Sequence, residues 1–462
     1  MAALSVAHCA ALAQMLERVP GSVLDTLSII VGEMPGDRAS VLSQMLADET
    51  ADRQRRAVVF APLLPMFGPR PDGVAALTFP STVLPRVWKA ATAREPKLLR
   101  QLEDVRFRED DPKVLAVANR ICIAASGVIR DQPDIIWPAA GWDEDTRAEG
   151  LSELAACFDL TILARSGIAA LPALTARPTE AQLTELRLMI RDASQIAHDG
   201  GTRLVEILFA HLGDAALILR LVINSSRTAS QEGMLSASEM AVFVDRLIEA
   251  VEARVTRIAA FKPGRADCAP GVGLDDDIIW CGEILAEMDR TLRLAPEGAW
   301  GRSARDARAR INGTLSDMLK STEKALDKVM PTRRVQTAGR MTREAAALDQ
   351  MAGPDVIETT RVLLTLVGAI RSSAQVFGCE SQRHQLVQTV IERLTTYVDL
   401  VMEIVNDGGA PDARAALHLI ETLAEFLTLI DATDPAKTVR RRAAAAKVAL
   451  NAATPEASPR AA

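Results

Sequence analysis

The sequence predicts an all-α fold, a multi-helix bundle or irregular helical array, with one short hairpin allowed near residues 57–80. Three observations carry this expectation. Apolar residues recur three or four apart over long segments, helix-opening and helix-closing residues punctuate the chain, and aromatic residues make up only 3% of it. With Tyr397 the single tyrosine, the core must come from Leu, Ile, Val and Ala, which suit close helix packing and disfavour sandwiches and barrels.

The clearest helices can be placed in order. Asp111-Pro112 opens a segment through Arg130, with proline at the first helical position, where its missing N–H costs nothing. Thr179 and Gln182 have the spacing of a capping box for a run to His198, closed by Gly200-Gly201. From Ser236 to Phe261, the positions Met240, Phe243, Val244, Leu247, Val251, Val255 and Ile258 mark one buried helical face. The pattern returns from Gln385 to Val405 and from Pro411 to Ile430. Strands compete only from Ala57 to Pro80, where Val58, Val59 and Phe60 lead through GPRPDG to Val74, Leu77 and Phe79. Pro62 and Pro65 would interrupt a ladder, so an irregular connector with at most one short strand is expected there.

A chain of 462 residues suggests about three units. The breaks divide it into helical units at 1–130, 143–261 and 274–450, the last with a basic segment at 302–343, followed by a disordered tail at 451–462. The strongest linker is the proline and glycine cluster from Lys262 to Gly273. A shift of 147 residues lays Arg246-Leu247 on Arg393-Leu394 and Val251 on Val398, but chance explains such matches better among residues this common.

Apolar residues at 48% and charged residues at 24% are close to a globular average. Six cysteines without a CxxC pair read as reduced, buried thiols. The N-terminal stretch lacks a signal-peptide pattern. The most apolar long stretch, Leu204 to Ile223, is interrupted by Glu206, His211, Asp214 and Arg220, so no transmembrane segment is expected. These features lead to the expectation of a soluble, cytoplasmic protein.

Signatures of chemistry are sparse. His198-Asp199 resembles the dipeptide of helical metal-dependent phosphohydrolases, but the only earlier histidine is His8, and a helix end explains the pair. Asp275-Asp276-Asp277 resembles the aspartate-rich motif of isoprenoid-diphosphate enzymes, but Ile279 stands where the next aspartate belongs, and acidic residues at a helix start complement its dipole. Gly271-Val272-Gly273 lacks the third glycine of a dinucleotide fingerprint. No catalytic, cofactor-binding or metal-ligating residue is nominated, no cofactor is expected, and the reading leans away from an enzyme.

Charge is more informative. Residues 302–343 hold eleven Lys or Arg against four Asp or Glu, and residues 437–462 hold six against one, in a chain of net charge −7. Lys320, Lys324 and Lys328 recur every four residues on one helical face, and Arg333 and Arg334 follow. Arg440, Arg441 and Arg442 form a second basic cluster. These eight residues are the candidate interaction surface, set against the plainer reading of solvated faces neutralised by neighbouring acidic helices. Trp137 and Trp142, in the proline-punctuated IIWPAAGW, either plug the gap between helices or anchor a partner.

The expected function is a non-enzymatic helical scaffold or regulatory adaptor that binds a protein partner, an acidic one at the basic segments. Homo-oligomerisation is compatible with this, and nucleic acid is disfavoured by the scarcity of aromatic stacking platforms. The alternatives are a helical metal-dependent enzyme, phosphohydrolase-like or isoprenoid-diphosphate-like, and a peripheral binder of anionic membranes or nucleic acid through the basic segments.

Overall fold

The computed structural model describes residues 6–17, 19–104, 111–225, 230–262, 273–336 and 342–453. Among them are twenty α-helices, two 3-10 turns and a single two-stranded antiparallel sheet, so the fold is an all-α helical array with one short hairpin. The chain divides into two compact units, Met1–Arg246 and Leu247–Ala462. The sequence break at 130–143 falls inside the first, and most of the 262–273 linker lies outside the described residues.

The first unit holds α1 (Val6–Leu16), α2 (Gly21–Gly32), α3 (Asp37–Val59), α4 (Val83–Arg94), α5 (Pro96–Asp104), α6 (Pro112–Asp131), α7 (Pro133–Ile136), α8 (Glu144–Asp159), α9 (Thr161–Thr175), α10 (Glu180–Ile196), α11 (Gly200–Ala210), α12 (Ala216–Asn224), α13 (Glu232–Leu235) and the start of α14 (Ala241–Ala260). Its centre is α6. Asp111 caps that helix by accepting from the Lys113 N–H at 2.8 Å, and Val114, Ala118, Ile121, Cys122, Ala125 and Ile129 form its buried stripe. Phe60 meets the edges of Trp88 and Phe158 with ring centroids 5.6 and 4.9 Å away, joining the core around α4 and α8. Among the described residues α6 is the one helix long and apolar enough to cross a membrane, a property it shares with many core helices, and α8 and α9 reach that length only together across a 68° bend.

Residues 57–80 contain no strand. Residues 57–59 finish α3, Leu64–Phe67 make a 3-10 turn, and the rest is irregular. Backbone groups that a ladder would use are taken by side chains instead. Arg165 donates to the Val58 and Val59 carbonyls, and His211 Nε2 lies 2.8 Å from the Pro62 carbonyl. The five prolines from Pro62 to Pro80 remove further donors. Arg70 fastens the connector to α11: it donates to the Phe209 carbonyl at 2.6 Å, pairs with Asp72, and stacks on the Phe209 ring.

The second unit holds the remainder of α14, then α15 (Leu274–Thr291), α16 (Ala299–Val329), β1 (Thr332–Gln336), β2 (Thr342–Ala346), α17 (Pro354–Ala369), α18 (Glu380–Asn406), α19 (Ala413–Leu429) and α20 (Thr433–Ala453). The hairpin allowed near 57–80 is absent there, and the one hairpin among the described residues lies at 332–346, with Thr332 paired to Ala346 and Gln336 to Thr342. Every residue of β1 is exposed, so the apolar alternation that betrays a half-buried strand is missing there. At Gly368 an added Cβ would lie 2.2 Å from the Leu429 carbonyl oxygen, which sets how closely α17 approaches the end of α19. Helix α20 continues to Ala453, inside the tail that was expected to be disordered, and 454–462 lie outside the described residues.

Candidate functional site

A cleft of about 1010 Å³ opens in the first unit, bounded by the 67–81 connector, the loop before α8, and one face each of α8, α11 and the start of α14. The helical spacing explains which side chains meet there. Helix α8 contributes Thr146, Glu149, Gly150 and Glu153, α11 contributes Thr202, Arg203 and Glu206 after Asp199, and Glu239, Val242 and Arg246 come from α14 and the turn before it.

The loop is held in place by Arg147, which is buried, donates to the Trp137 carbonyl at 2.6 Å and pairs with Asp134 and Glu144. Asp143 caps α8 by accepting from the Thr146 N–H at 3.1 Å, and that bond holds its carboxyl below the usual range. Gly141, at φ +84°, turns the chain so that Trp142 meets Trp137 edge to face at 5.1 Å. Trp137 packs closely on α8 because residue 150 is glycine; a Cβ there would sit 2.8 Å from two of the indole carbons. The two tryptophans differ in burial, Trp137 being 5% exposed and Trp142 46%.

At the opposite wall Asp199 takes a left-handed conformation at φ +51°, and Gly200 follows where a Cβ would fall 2.0 Å from the Ala193 carbonyl oxygen. This tight junction delivers Arg203 to the cleft floor. Arg203 donates from Nε and Nη2 to the two carboxylate oxygens of Glu153, each at 2.5 Å, and Glu153 raises its pKa. Glu206 pairs with Arg246 and also accepts from the Leu77 N–H at 3.4 Å. The floor carboxylates are therefore neutralised. At the rim, Glu149, Asp199 and Glu239 are exposed, with Asp199 bonded to His198 and Glu239 accepting from the Thr202 hydroxyl.

Among the described residues, two buried side-chain nitrogens lack any hydrogen-bond partner, Trp137 Nε1 and Arg203 Nη1, and both belong to residues lining this cleft. An unmade hydrogen bond at a buried donor costs about 1–3 kcal/mol. Burial pushes the Cys157 thiol well above its ordinary value, with Glu153 and Glu206 adding to the shift and Arg203 opposing it, which disfavours the thiolate.

Of the motifs considered from sequence, Gly271 and Val272 lie outside the described residues. His198 and Asp199 bond to each other at the α10–α11 junction. Asp277 is gripped by Arg257 at 2.8 and 2.7 Å and approached by Arg254 at 3.4 Å, while Arg254 stacks on Trp280. No group of three or more potential metal ligands exists among the described residues.

The basic residues Lys320, Lys324 and Lys328 are exposed on α16, and Arg333 and Arg334 on β1. Several basic side chains have acidic partners: Lys320 with Asp317, Arg333 with Asp349, Arg343 with Glu403 and Arg442 with Asp399. Arg440 donates to the Thr428 hydroxyl. Comparison with protein-family models, curated proteins and solved structures gives no match.

Proposed function

We propose that this chain is a non-enzymatic helical scaffold or adaptor, and that a segment of a partner protein docks in the cleft of the first unit. The observation that carries the reading is an exposed Trp142 ring beside a cleft of about 1010 Å³ whose floor charges are already paired. Exposed indoles in concave sites are frequent anchors of binding energy. The two floor carboxylates, locked to arginines, are poorly placed to exchange protons with a substrate, which supports binding over acid–base chemistry at the floor.

A second docking surface, for an acidic partner, is supported by the exposed cations Lys324, Lys328, Arg334 and Arg441, which make no ion pair among the described residues. Affinity purification of the full chain from its own cells tests both readings. Loss of a stoichiometric protein partner on Trp142→Ala assigns the cleft, and loss on charge reversal of Lys320, Lys324 and Lys328 assigns the basic surface. A purified protein that carries no partner and turns over a small substrate contradicts the proposal.

A further inference from the structure

We infer that the occupant of the cleft is an extended, basic peptide segment of the partner, with a Lys or Arg side chain against Trp142 and the rim carboxylates, and main-chain carbonyls at Trp137 Nε1 and Arg203 Nη1. The inference rests on the cleft being the docking site. Three observations converge on this chemistry.

The charge balance comes first. Of the lining residues, five are carboxylates and two are arginines. The two arginines are committed to Glu153 and Glu206, so Glu149, Asp199 and Glu239 leave an excess of three negative charges at the rim. An exposed indole face beside carboxylates favours a cation that can stack and pair at once, which describes a guanidinium or ammonium group.

Polar complementarity is the second observation. The orphaned nitrogens Trp137 Nε1 and Arg203 Nη1 are both donors. A simple polyamine has no oxygen to offer them, whereas a peptide backbone brings a carbonyl at every residue. Both residues line the cleft, and their two nitrogens are closed to solvent without an occupant, so the docking inferred here includes a small opening of the cleft wall at each.

Size is the third. Small-molecule pockets are typically about 300–1,000 Å³, and this open cleft lies at the top of that range. A lone amine would leave most of it unfilled, whereas several residues of extended chain would occupy it.

The test is fluorescence anisotropy with the full-length protein and a fluorescein-labelled octapeptide of alternating Gly and Arg, compared with the same peptide carrying Glu in place of Arg and with spermine as competitor. Saturable binding of the basic peptide alone is expected, weakened about tenfold or more by Trp142→Ala and by the paired change Glu149→Gln with Glu239→Gln. Spermine should displace it poorly. The inference is overturned if the basic peptide does not bind saturably, if both variants bind as the parent does, or if spermine competes as well as unlabelled peptide. Failure of the peptide while Trp142→Ala still abolishes capture of a cellular partner overturns the basic-peptide chemistry and leaves the docking reading standing. Capture that is insensitive to every cleft substitution removes the docking reading itself.

Discussion

Arg203 holds Glu153 at two points, Nε and Nη2 each 2.5 Å from a carboxylate oxygen, and leaves its Nη1 without a partner. The pair joins α11 to α8 across the cleft floor, with the arginine side chain 12% and the glutamate side chain 22% exposed. Replacing Glu153 by Gln strands a largely buried guanidinium. Breaking a fully buried pair costs about 3–5 kcal/mol, and the residual exposure here reduces the expected loss to about 2–4 kcal/mol. Differential scanning calorimetry should show a lower melting temperature for the transition containing the first unit; an unchanged one would contradict the assigned pairing.

Gly150→Ala separates packing from propensity. In an exposed helix interior the change from Gly to Ala stabilises by roughly 1 kcal/mol. Here the new Cβ meets the Trp137 ring at 2.8 Å and must displace it. A net destabilisation of about 1–3 kcal/mol is expected, together with a shift in tryptophan emission. Stabilisation without a spectral change would mean that Trp137 does not lie on α8.

His211 gives the first unit a pH dependence of known sign. Burial lowers its pKa from 6.5, only partly countered by the bond to the Pro62 carbonyl. The unfolded chain therefore binds the proton more readily than the folded one. The neutral-histidine contribution is fully present above the unfolded value and is lost as pH falls from 6.5 towards the folded value. Melting temperatures measured at about pH 7.5 and about pH 5.5 should fall further on acidification for the parent than for His211→Asn; equal falls would remove His211 as a contributor.

The buried thiols should be inert in the native state. Burial pushes Cys281 up to about 12, with Asp277 adding to the shift and Arg254 and Arg257 opposing it, and it moves Cys122 and Cys157 upward as well. Iodoacetamide labelling followed by peptide mass spectrometry should leave these three unmodified without denaturant and modified with it. Rapid native labelling of Cys157 would show that the core beneath the cleft opens readily.

The helical pattern was legible in the sequence because apolar spacing and caps act locally. The capping box of Thr179 and Gln182 is present as expected, and the run from Pro112 ends at Asp131, one residue beyond the expected boundary. The irregular connector at 57–80 follows from its prolines, whereas the hairpin at 332–346 is not legible in the sequence, because β1 is exposed throughout and carries no alternation. The cleft was hidden for a different reason. Its residues come from segments as far apart as Phe67 and Arg246, and no short window contains them.

One clue was nevertheless available. Glu206 interrupts the most apolar long stretch of the chain, and a charge in such a place requires a partner; it finds Arg246. The aromatic pair Trp137 and Trp142 was visible as a pair, but the burial of Trp137 depended on Gly150 and Arg147, whose contacts are tertiary.

The most direct test of the cleft as a docking surface is capture of the cellular partner by parent, Trp142→Ala and Lys320/Lys324/Lys328→Glu proteins at equal amounts. Trp142 is half exposed, and losing its edge-to-face contact with Trp137 should cost about 0.5–1.5 kcal/mol, so a partner lost by a variant that still melts cooperatively within a few degrees of the parent would report on the surface rather than on folding. Capture abolished by Trp142→Ala and preserved in the lysine variant is the expected result. Full capture by Trp142→Ala, with loss only in the lysine variant, would contradict the cleft and place the interaction on the basic face of α16.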